Sequence, residues 1–179
     1  VDASGSMGAR ERMRAAKGAI FYMLQEAYQK RDRAGMIAFR RDKADLPLPI
    51  TRSVDLAQKR LAELPTGGKT PLADGLALSL QTLALLNKRD SELEPILIVV
   101  TDGRANAVYE GEKEPVAAAI NIAEKIAKAK ITSVVIDTES DFIKLGIAKR
   151  LAAAMRANYY TLQPLLEAAV CQRKNIIQI

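Results

Sequence analysis

Pro95-Ile96-Leu97-Ile98-Val99-Val100-Thr101-Asp102-Gly103 is the stretch that decides the fold. A proline introduces an unbroken aliphatic run, and the run stops in a Thr-Asp-Gly turn. It reads as the most apolar strand of the chain, whose far end delivers a hydroxyl and a carboxylate to a loop. Downstream, residues 104–114 form a polar loop and Pro115 opens a helix reaching about Lys128. A second apolar strand over 131–136 ends in Asp137-Thr138-Glu139. A helix over about 142–155, a short strand over 159–162 and a last helix opened by Pro164 follow.

The upstream half alternates in the same way. Residues 12–30 place Met13, Ala16, Ile20, Leu24 and Ala27 at helical spacing. Residues 35–39 are a short apolar run, as expected of a strand covered on both faces. Ala44, Leu46, Leu48 and Ile50 then alternate with Asp45, Pro47 and Pro49. Prolines two residues apart remove donors from one side only, so that side faces solvent and the strand lies at an edge. Ser53 caps a helix through Leu64, which Pro65 ends. After a glycine-containing loop, Thr70 and Pro71 open another helix with Leu72, Leu76, Leu80 and Leu83 on one face.

This order predicts an α/β fold: a doubly wound, mostly parallel open sheet with an antiparallel edge strand and helices on both faces, as one domain over 1–179. In such sheets the ligand crevice lies beyond the carboxyl ends of the strands, at the switch point. Asp2 and Asp102 then stand at the ends of two strands flanking it. Only Val1 and Asp2 precede the first loop, so most of the central strand is missing. The expectation is a fragment of a longer protein with that strand truncated, or a strand replaced by another segment such as 176–179.

At 179 residues the chain buries roughly 70% of its unfolded surface without help from disulfides or a structural metal. Its 27 basic and 21 acidic residues leave a net charge of +6, densest at Lys30-Arg31-Asp32-Arg33 with Arg40-Arg41 close behind. No aromatics interleave with these cations and no nucleic-acid motif accompanies them, so a solvated basic face, or attraction to an acidic protein partner, is expected in place of nucleic acid. Cys171 is the only cysteine and the chain has no histidine. It is therefore expected to be a small buried apolar residue, with no base to activate it. With no disulfide pair, no leader and no membrane-length apolar run, the expected location is the cytoplasm, off the membrane.

Asp2-Ala3-Ser4-Gly5-Ser6, Thr70 and Asp102 supply two carboxylates and three hydroxyls from loops at one end of the sheet. Taken singly, each has a plain role as a cap or turn residue. Their convergence is what points to a metal. Without histidine, and with one cysteine, a zinc, copper or iron site is hard to build, whereas carboxylates, hydroxyls and water suit Mg²⁺, with Mn²⁺ as the other candidate. Mg²⁺ takes an octahedral shell of oxygens at about 2.1 Å. This set leaves it under-neutralised with a position open for a carboxylate from a partner.

The set resembles the metal-ion-dependent adhesion site of von Willebrand factor type A domains, D-x-S-x-S with a distant Thr and a distant Asp. The matching metal residues are Asp2, Ser4, Ser6, Thr70 and Asp102. The resemblance implies that the three hydroxyls bind the ion, while the two carboxylates act through water or orient the others. Residues 1–7, 67–72, 101–106, 135–139 and Tyr159-Tyr160 are similar to the C-terminal domain of the magnesium chelatase D subunit and its cobaltochelatase relatives. That likeness implies a protein–protein interaction domain in tetrapyrrole biosynthesis. It would dock on an AAA+ ATPase subunit or on the large porphyrin-binding subunit, with an acidic side chain completing the metal site. Lys69 stands where a small residue is expected in that family.

Other readings remain in view. Gly68-Lys69-Thr70 echoes a phosphate-binding loop, but its first glycine would fall on Glu63 and a helix precedes it in place of a strand. A Mg²⁺-dependent phosphatase with Asp2 as phosphoryl acceptor lacks an acid two residues on, where Ser4 stands, so proton transfer has no carrier. A type A domain that serves another AAA+ ATPase, or adhesion, would have the same fold and site with a different partner. The domain alone is not expected to be an enzyme.

Overall fold

The computed structural model describes residues 1–3, 7–65, 67–139 and 145–163, and for 7–13 the main chain only. The elements run α1 (Met7–Gln29), β1 (Ala34–Arg40), β2 (Lys43–Thr51), α2 (Val54–Ala62), α3 (Leu72–Arg89), β3 (Ile96–Thr101), α4 (Pro115–Lys128), β4 (Thr132–Asp137), α5 (Ile147–Met155) and β5 (Asn158–Thr161). The helix expected after Pro164, Cys171 and 176–179 lie outside the described residues.

β3 and β5 flank β4, both parallel to it, while β1 and β2 form an antiparallel hairpin. The expected edge strand is thus β2. Its register slips between Met36↔Leu48 and Ala38↔Asp45, and again between Ala34↔Thr51 and Met36↔Leu48. Each slip contains one of the two prolines, so the missing donors fall at irregular positions where no ladder bond is lost.

The alternation along each strand divides two cores. Phe39, Val99 and Val135 point to one face, where α3, α4 and α5 bury Leu76, Ile122, Ile126, Leu151 and Met155. Met36, Ala38, Val100 and Ile136 point to the other, where α1 and α2 bury Ala16, Ile20, Ala57 and Leu61. Helices therefore cover both faces of a doubly wound sheet. α3 comes so close to β1 that a Cβ at Gly75 would sit 2.5 Å from the Phe39 ring. Among the described residues no helix is long and apolar enough to cross a membrane.

Among the described residues, main-chain hydrogen bonds bridge the two sheet halves at Val1–Ala3. Phe39 N–H donates to Val1 O at 3.2 Å, Ala3 N–H to Phe39 O at 3.2 Å and the Val1 amine to Ile37 O at 2.7 Å. On the other side Asp2 N–H donates to Val100 O at 2.9 Å. Beyond this short seam β1 and β3 separate around a cavity of about 680 Å³, lined by Ile20, Leu24, Met36, Ile50, Leu83 and Ile98 among others. In consequence Ile96 is 61% exposed and Ile98 38%, although their strand reads as the most apolar of the chain.

Candidate functional site

β3 ends in Thr101, which is fully buried. Its hydroxyl donates to Asp2 Oδ2 at 3.1 Å and accepts Gly103 N–H at 3.0 Å. One side chain thus orients the carboxylate of the first loop and bends the chain after Asp102. The turn demands glycine: Gly103 has φ +78°, and a Cβ there would lie 2.6 Å from the Ala148 main-chain nitrogen, where α5 begins. Asp102 accepts Arg104 N–H at 3.0 Å, and the Arg104 guanidinium lies 3.5 Å from its other oxygen. Both Asp2 and Asp102 are largely shielded, with Asp2 only 9% exposed.

Thr70, 1% exposed, was expected to cap α3. The cap position is instead Pro71, with no side-chain capping bond. Thr70 is held by Asn106: its N–H donates to Asn106 Oδ1 at 2.7 Å, and its carbonyl accepts Asn106 N–H at 3.3 Å. Both contacts engage the main chain of Thr70 and neither uses its hydroxyl. A third tie, Gly67 N–H to Ala3 O at 2.8 Å, joins the loop before α3 to the Asp2 segment. The loops carrying Asp2, Thr70 and Asp102 are therefore bonded to one another pairwise. Ser4 and Ser6 lie outside the described residues.

Residues that the sequence marks only as points of family likeness, without a role, complete the surroundings. Asp137, 5% exposed, accepts Glu139 N–H at 2.7 Å and the Tyr159 hydroxyl at 2.5 Å. Burial, with the hydrogen bond and charge of Asp137, pushes the Tyr159 phenol up to about 12. Glu139 in turn accepts Leu145 N–H at 2.7 Å and Gly146 N–H at 3.4 Å. It thereby fixes the start of α5, the helix pressed on Gly103. These two acids are engaged in holding the loop. Among the described residues no group of three His, Cys, Asp or Glu side chains could hold a metal, so an ion here would rely on hydroxyls as well.

The sequence profile of the von Willebrand factor type A domain matches residues 1–105. The chain belongs to that family. It is 46% identical over 160 residues to an uncharacterized protein of Methanocaldococcus jannaschii, covering 89% of this chain and 91% of that protein. It is 37% identical over 179 residues to the magnesium-chelatase 67 kDa subunit of Heliobacterium mobile, covering 96% of this type A domain but 26% of that subunit. The chain thus spans about a quarter of that relative's length. Among solved structures, the manganese-loaded TRAP protein of Plasmodium vivax shares the fold, with a TM-score of 0.71 and 17% identity over 95% of this chain and 69% of that one. The expected fold class and family likeness are both confirmed.

Proposed function

We propose that this type A domain is a metal-dependent protein interaction module of a magnesium chelatase D-like subunit in tetrapyrrole biosynthesis. Asp2, Ser4, Ser6, Thr70 and Asp102 would hold one Mg²⁺ (or Mn²⁺). An acidic side chain of the AAA+ chelatase subunit or of the large porphyrin-binding subunit would complete the shell. The observation that carries this reading is the pairwise bonding of the loops bearing Asp2, Thr70 and Asp102. Loops that are tied to one another and carry hard oxygen ligands suit a hard dication. The manganese in the Plasmodium relative and the chelatase names of the bacterial relatives point the same way.

The test is partner capture in Mg²⁺ and in EDTA, using the chelatase AAA+ and porphyrin-binding subunits as bait. Binding should require the ion and should be lost in Asp102→Ala, with the circular dichroism spectrum unchanged. Equal affinity in both buffers overturns the metal reading. Capture of neither subunit in Mg²⁺ overturns the chelatase assignment.

A further inference from the structure

Three elements bring cations to the mouth of the site. The turn from β1 to β2 carries Arg41 and Lys43, the loop before α3 carries Lys69 beside Thr70, and the loop after β3 carries Arg104. The first two are in contact: Gly68 has φ +94°, and a Cβ on it would lie 2.7 Å from Arg41 Cγ and 3.2 Å from Arg41 Cα. Arg41 and Lys69 are therefore neighbours fixed by backbone packing. Arg41, Lys43 and Lys69 are exposed and make no ion pair among the described residues. The acids of the same hairpin are Asp42 and Asp45, both exposed, while the Asp74 carboxylate is engaged by the Ala44 N–H. The denser run Lys30–Arg33 precedes β1 and so lies at the opposite end of the sheet.

We propose that this rim is a docking surface for a short acidic segment of a partner protein, carrying several carboxylates in succession. One carboxylate would reach the ion, and its neighbours would meet Arg41, Lys43 and Lys69. The proposal rests on the reading of Asp2, Thr70 and Asp102 as a metal site. Arg41, Lys43 and Lys69 could neutralise few phosphates, and nucleic-acid affinity grows with the number neutralised, which favours the peptide. Rim charges act chiefly on encounter rate and salt dependence.

Fluorescence anisotropy of the full chain tests it, with a labelled peptide rich in Asp and Glu and a counterpart in which all but one carboxylate is an amide. In Mg²⁺ at low salt the acidic peptide should bind at least about tenfold tighter, mainly through a faster on-rate, and the advantage should shrink at high salt. The double reversal R41E/K69E, with its fold checked by thermal melting, should bring the ratio of the two affinities close to one. Equal affinities for the wild-type chain overturn the proposal, as does a ratio unmoved by the reversal. So does a single-stranded oligonucleotide that competes as well as the acidic peptide. EDTA separates this from the metal reading: if the ion is not used, both peptides ignore EDTA while the rim preference persists. If only the rim is wrong, both remain EDTA-sensitive and the preference is absent.

Discussion

The hydroxyl of Thr101 donates to Asp2 Oδ2 at 3.1 Å across 99 positions of sequence. Removing it while keeping the shape, as in Thr101→Val, leaves a buried Gly103 N–H without its acceptor and takes one hydrogen bond from the Asp2 carboxylate. We expect a loss of about 1–3 kcal/mol in denaturant unfolding and weaker Mn²⁺ uptake by calorimetry. Thr101→Ser should restore most of both.

Gly103→Ala introduces a side chain at φ +78°, aimed at the backbone of Ala148. The left-handed conformation and the close contact together should cost about 2–4 kcal/mol. A lower midpoint in urea would show it. Unchanged stability would mean that α5 does not press on this turn.

Asn106 is exposed, so Asn106→Ala should lower stability by only about 1 kcal/mol. Thr70 nevertheless loses the acceptor of its N–H. The expected signature is a near-normal melting curve with Mg²⁺-dependent partner capture strongly reduced. Asn106→Asp, which keeps the acceptor oxygen, should fall between the two.

The strands were legible because their signal is local. The aliphatic run before Thr101 and the alternation through Pro47 and Pro49 each state their burial within a few residues. Ser53 likewise caps α2 through Leu56 N–H, as its position suggested. Thr70 was misread as a cap because Ser or Thr before Pro fits a helix start, whereas its backbone partner lies 36 residues away at Asn106. Asn106 itself sits in a stretch whose polarity reads as ordinary loop. The roles of Asp137, Glu139 and Tyr159 also depend on contacts that no spacing announces. Exposure of Ile96 and Ile98 follows from the shortness of the strand ending at Asp2, which the sequence shows, and not from β3 itself.

The packing of Gly103 against the start of α5 has a consequence for ligand binding. The turn that carries Asp102 rests on the same helix start that Glu139 holds through Leu145 and Gly146. Free energy gained by a ligand at Asp102 would therefore be felt as added resistance of α5 to local opening.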